Sequence, residues 1–203
     1  MYSKSILEAV IATRDGIEAS NYSDRSFVIS YLIFMQQVIT ASESLLEEAI
    51  KVSDGEVKDY FQSHLEEERG HEKWLADDLM TVGIDVAKLP CIRLAMEMAG
   101  SEYYLIKHRS PTYFLGYMLA LEGFPASMEF VDALEQTHGK SLFRTLRYHA
   151  EHDVDHKEDL FAIIDKFPSP EIMESALIAT SYLNQFEATY SADFLPNLLK
   201  EMK

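Results

Sequence analysis

Apolar residues recur at three- and four-residue spacing along almost the whole chain, the period at which a helix keeps one face apolar and the other wet. No stretch supports a sheet, and the eight glycines and six prolines fall mainly between the periodic segments. The pattern predicts a first amphipathic helix from Ser5 to about Ala19 and a second from about Ser23, placed as its N-cap, to Val52. Ser53 and Glu56 have the spacing of a capping box. A third helix would start there and run through Tyr60, His64 and Trp74 to Gly83, a residue suited to the left-handed position after a helix end. Pro90 breaks the chain, and a helix of about Ile92 to Ile106 follows. Pro111 fits the first turn of a helix carrying Tyr113 to Glu122, which Pro125 either kinks or ends by starting the next. After Gly139 a long helix spans Lys140 to Lys166, and Pro170 opens the last one, which frays into Pro196 and the terminal lysine. The expected fold is all-α, a single-domain bundle of about seven helices over residues 1–203.

Composition narrows the function. Acidic residues number 34 against 18 basic, a net charge of −16, which repels nucleic-acid phosphates and anionic lipid surfaces. Neither nucleic acid nor membrane is expected as a partner, and the apolar stretches Phe27 to Ile39 and Tyr113 to Leu121 are too short to span a bilayer. Cys91 is the only cysteine, so no intrachain disulfide, zinc finger or thiolate cluster can form. With no signal-peptide pattern in Met1 to Arg14, the expected location is cytoplasmic. Long amphipathic helices also make a homodimer an expectation.

The candidate chemistry begins in the predicted Lys140–Lys166 helix. His149, Asp153 and His156 follow an H-x-x-x-D-x-x-H spacing. At about 100° per residue Asp153 lies about 40° from His149, and His156 about 20° to the other side. All three leave one narrow face, and imidazole with carboxylate suits iron, manganese or zinc. A solvated charged face is the plain alternative. The third predicted helix adds Glu67, Glu68 and His71 at three- and four-residue separations, with His64 on the same face. Gly70, read as interior to that helix, points to close approach of another element. Glu66, Glu67, Glu68 and Glu72 also form a charge run, of which only one or two members can face inward. Glu122 ends an aromatic and aliphatic stretch, and a carboxylate there is costly to bury unless it meets a cation or a donor. Tyr103, Tyr104, Tyr113, Phe114, Tyr117 and Met118 are candidates to line an apolar pocket near it. His152 and Asp155 flank the ligands, either orienting them or facing solvent.

Glu67-Glu68-Arg69-Gly70 followed by His71, then Glu122 three residues before Pro125, then the His149–Asp153–His156 motif together resemble the heme-oxygenase-like di-iron oxidases and oxygenases. Relatives of that superfamily include the TenA and PqqC proteins. The resemblance covers roughly Ser53 to Lys166 and implies a heme-oxygenase-like (TenA-like) bundle. It implies two non-heme irons, one held by Glu67 or Glu68 with His71 and His149, the other by Glu122, Asp153 and His156. It further implies dioxygen as co-substrate and oxidation of a small organic molecule. Members use such chemistry for fatty-acid decarboxylation, amino-acid fragmentation and N-oxygenation. Some place several residues between the glycine and the histidine, whereas Gly70 and His71 adjoin here, so the choice between Glu67 and Glu68 stays open. Alternatives within the fold are a TenA-like enzyme without a di-iron centre, with Cys91 as nucleophile, and a non-catalytic iron-binding or interaction module. A heme enzyme is disfavoured, because the first histidine is His64 and not one near the N-terminus.

Overall fold

A computed structural model describes residues 1–14 and 22–200; the side chains of Arg14, Asp153, Val154 and Asp155 lie outside that description. Among the described residues there are ten α-helices and no strand. They are α1 (Tyr2–Arg14), α2 (Arg25–Val52), α3 (Gly55–Glu68), α4 (His71–Met80), α5 (Arg93–His108), α6 (Tyr113–Glu122), α7 (Met128–His138), α8 (Arg144–Lys166), α9 (Pro170–Thr189) and α10 (Phe194–Lys200). The expected continuation of the first helix to Ala19 and the fraying to the terminal lysine fall partly outside the described residues.

The helical class follows the apolar period, and the extra helices have local causes. The expected third helix is two, because Gly70 takes a left-handed φ of 94° between α3 and α4. Gly70 is therefore a backbone pivot. The close approach expected there is absent: a Cβ added to it would meet no atom within 4 Å. Ser127 caps α7 by accepting from the Phe130 N–H, so Pro125 lies in the connection and neither kinks α6 nor starts the next helix. Lys140–Leu142 form a separate 3-10 turn ahead of α8. Pro196 sits in the first turn of α10, where its missing N–H has no intrahelical role.

Two expected caps move as well. Asp24, not Ser23, caps α2 by accepting from the Ser26 N–H. No capping box forms at α3; the Ser53 hydroxyl instead donates to the Ala49 carbonyl at 2.6 Å and closes the end of α2. Pro170 does open α9, with Ser169 accepting from the Glu171 N–H.

At the centre lies α6, buried at every position from Tyr113 to Ala120, as a helix apolar on all sides must be. It crosses α9 at Gly116, where a Cβ would fall 2.1 Å from the Ile172 carbonyl oxygen and 2.8 Å from the Ala176 nitrogen. Absence of a side chain thus lets the backbones touch. Around this pair, α2 packs on α3, α4 and α5, while α8 packs on α1, α4, α6 and α7. The ends of α3 and α6, the start of α4 and the middle of α8 consequently meet beside the core.

Candidate metal centre

Each side of the centre is built from a different local rule. On α8 the helical period carries His149 and His156 to one face, as their spacing predicts. On the other side, the pivot at Gly70 redirects the chain so that His71 opens α4 while Glu67 and Glu68 close α3. Glu122 is the last residue of α6.

Two buried hydrogen bonds fix α4 against α8. Asp78, 2% exposed, accepts from the Thr145 N–H at 2.8 Å and from the Thr145 hydroxyl at 2.6 Å. Thr145 lies in the first turn of α8, where backbone N–H groups lack intrahelical partners and the helix dipole favours an anion. Arg144 Nε adds a contact of 3.3 Å to the same carboxylate. His71 lies seven residues before Asp78, and His149 four after Thr145, so the staple sets how these imidazoles face each other.

Glu68, His71 and His149 form one trio of donors and His64, Glu67 and His156 another, with donor atoms in each within 4.8 Å of one another. In the first, His71 Nδ1 and Glu68 Oε2 are 2.9 Å apart, and the His71 and His149 rings are 5.0 Å apart at 89°. In the second, His156 Nε2 is 3.4 Å from Glu67 Oε2. Glu122 joins it through His64, whose Nε2 is 3.1 Å from Glu122 Oε1. Glu68 lies between the trios, since its Oε1 is 3.8 Å from His156 Nδ1. Asp153 belongs to α8 by its backbone, but its side chain is outside the described residues.

Glu67 and Glu68 are thus separated by the structure. The Glu68 side chain is 20% exposed and meets His71; that of Glu67 is 50% exposed and faces His156. His64, 5% exposed, is the member outside the ligand set that the family resemblance implies. Its signal was present in the chain, because His64, Glu68 and His71 follow the i, i+4, i+7 rhythm.

Electrostatics and hydrogen bonding bear on whether a cation fits. Burial alone would lower the pKa of His64, but the Glu122 carboxylate beside it, with Glu68 and Glu67, raises it to about 9. Burial pushes Glu68 up, yet the His71 bond and the neighbouring imidazoles hold it below the ordinary carboxylate range. Glu122 Oε2 and Glu68 Oε1 are buried without a hydrogen-bond partner among the described residues. Such oxygens are costly in a folded protein, and a bound cation satisfies them. Four imidazoles with three carboxylates also match the donors that first-row transition metals take, so the residues present fit iron.

A cavity of about 430 Å³ opens beside the centre. His64, Glu68, Glu122 and His149 line one part of it, and aliphatic and aromatic side chains such as Leu32, Met35, Phe114 and Leu183 line much of the rest. No lysine or arginine is among the described residues lining it. Of the expected pocket residues, Phe114, Tyr117 and Met118 are there. Tyr113 instead donates to Glu174, and Tyr103 and Tyr104 are exposed. On the opposite side a smaller, more polar cavity of about 300 Å³ is lined by Tyr60, His64, Glu67, His156 and Asp159. His152 is exposed and stacks on Tyr148. Asp155, like Asp153, has its side chain outside the described residues.

Residues 35–184 match a protein family described as iron-containing redox enzyme. No curated protein matches the chain. A solved structure from Shewanella denitrificans, a domain of unknown function with a heme oxygenase-like fold, aligns with a TM-score of 0.62 at 16% identity, covering 98% of this chain and 92% of that one. The fold here is therefore the heme-oxygenase-like bundle. Among the described residues no helix is long and apolar enough to cross a membrane.

Proposed function

The chain belongs to the iron-containing redox enzyme family, and from that premise we propose that it is a non-heme di-iron, dioxygen-dependent oxidase or oxygenase of a small apolar organic substrate. The observation that carries this reading is two histidine-carboxylate trios that adjoin where Glu68 of one nears His156 of the other, with His64, Glu68 and His149 among the residues lining a largely apolar cavity. One iron would be held by Glu68, His71 and His149. The other would be held by Glu122, Asp153 and His156, with His64 and Glu67 alongside.

When bound, ferrous iron supplies the electrons that activate dioxygen, a task no side chain of this protein can perform alone. The chain's own residues do the rest. Leu32, Met35, Phe114 and Leu183 exclude water and receive an apolar body. A substrate with a negative charge at its far end would have to bury that charge without a lysine or arginine partner among the described lining residues. His64 holds a proton between its Nε2 and Glu122 Oε1 in the metal-free protein. Metal binding must displace that proton, so iron affinity falls as pH falls.

The thiol alternative loses support from position. Cys91 is exposed, its Sγ contacts only the Ile92 carbonyl among the described contacts, and it does not line the cavity. Anaerobic loading with ferrous iron, followed by oxygen uptake against apolar candidate substrates, tests the reading. Iron-dependent uptake that His149→Ala abolishes is expected. Uptake no faster than free iron, or a variant that matches wild type, contradicts it and leaves an iron-binding module.

A further inference from the structure

We propose that Trp74 and Tyr148 form a one-electron conduit between the metal centre and the surface, which discharges an oxidised centre when no substrate is present to consume it. The inference rests on the di-iron reading. The rings of His71 and Trp74 lie 4.3 Å apart with 31° between planes. From Trp74 the next ring is Tyr148 at 5.0 Å, and Tyr148 stacks on His152 at 4.1 Å and 18°. Tyr148 also reaches back to His71 at 5.4 Å and to His149 at 6.0 Å. The series starts at a residue 2% exposed, His71, and ends at Trp74, 36% exposed, and at the exposed His152.

The placement joins the centre to the surface through side chains suited to one-electron chemistry. Trp74 is the only tryptophan in the chain, and its exposure leaves part of the largest apolar side chain in water. Neither Trp74 nor Tyr148 lines either cavity beside the centre, so they do not receive substrate. Indole and phenol are, however, the aromatic side chains most readily oxidised by one electron. Electronic coupling decays exponentially with distance, so rings in contact carry charge faster than a path through intervening aliphatic side chains.

The electron balance closes with a low-molecular-weight thiol as the terminal reductant. Trp74 would give one electron to an oxidised centre and become an indole radical cation. Tyr148 returns an electron to the indole and releases its phenolic proton to solvent. The thiol then gives a hydrogen atom to the phenoxyl, restoring Tyr148 and becoming a thiyl radical. Overall one thiol would lose one electron, passed inward through Tyr148 and Trp74, and one proton, replacing the one Tyr148 released.

The test uses the iron-loaded full chain exposed to dioxygen without organic substrate or thiol, with iron content and oxygen uptake measured on the same sample. Expected are an organic radical by freeze-quench paramagnetic resonance and oxygen adducts concentrated on Trp74 and Tyr148 in peptide mass spectra. Tyr104 and Met96, 58% and 57% exposed, serve as internal controls for diffusing oxidants. Added thiol should suppress the adducts. The variant carrying Trp74→Phe and Tyr148→Phe should bind iron normally, lose the radical, and shift damage to His71 or His149 with severalfold faster loss of iron. Adducts as frequent on Tyr104 and Met96 as on Trp74, or an unchanged radical and lifetime in the variant, overturn the conduit alone. Iron bound with no oxygen uptake in the absence of substrate also overturns the conduit alone, whereas failure of the wild type to bind iron overturns the di-iron reading and the conduit with it.

Discussion

His64 presents Nε2 to Glu122 from inside the centre, one helical turn before Glu67 and Glu68. If it supports iron there, His64→Ala should weaken one of two ferrous ions by about tenfold or more, the scale on which supporting residues act at metal sites. Calorimetric or competition titration reads this directly, and two irons bound at wild-type affinity would remove His64 from the centre. Glu102 is a buried carboxyl of another kind. It is 1% exposed, its Oε2 accepts from Ser175 at 3.0 Å, and its Oε1 has no hydrogen-bond partner among the described residues. Burial raises its pKa to about 7 from an ordinary 4.5, against the smaller lowering effect of the Ser175 bond. Between those two values the folded state holds more protons than the unfolded one, so stability falls as pH rises through that window and levels off above it. Glu102→Gln removes the decline. Urea unfolding should show the variant gaining on wild type by on the order of 2 kcal/mol from pH 4 to pH 8, whereas parallel pH profiles would contradict the shift.

At the scale of elements, the site depends on how α4 sits against α8. Asp78→Ala leaves the Thr145 N–H and hydroxyl without their acceptor in a buried place. A cost of about 2–3 kcal/mol is expected in chemical denaturation, together with weaker iron binding, because His71 and His149 ride on the same two helices. A loss below about 0.5 kcal/mol, within the range of an ordinary surface substitution, would show that the staple does not hold them.

This is also the scale at which the limits of sequence reading are visible. The His149 and His156 face was legible, since a fixed angle per residue projects them together whatever the rest of the chain does. Glu122 was legible as a carboxylate out of place at the end of an apolar helix. The break at Gly70 was not, because a glycine inside a periodic run has the same local signature whether it is crowded or left-handed. With α3 and α4 merged, the sequence could not say which of Glu67 and Glu68 turns inward. Long-range partners such as Asp78 and Thr145, 67 residues apart, leave no local pattern at all.

For the whole molecule, the arrangement separates two environments across one centre: a largely apolar cavity on one side and a more polar one bearing Glu67 and Asp159 on the other. The net charge of −16 favours cation uptake in general but does not locate it; the location proposed is the pair of histidine-carboxylate trios. The central claim is that these trios together bind two irons. The most direct measurement is anaerobic ferrous titration with iron counted per chain, made on wild type and on the His149→Ala and His156→Ala variants. Two ferrous ions per wild-type chain, with each variant losing at least one, is the predicted result. Fewer than one iron in wild type, or variants that still bind two, would contradict it.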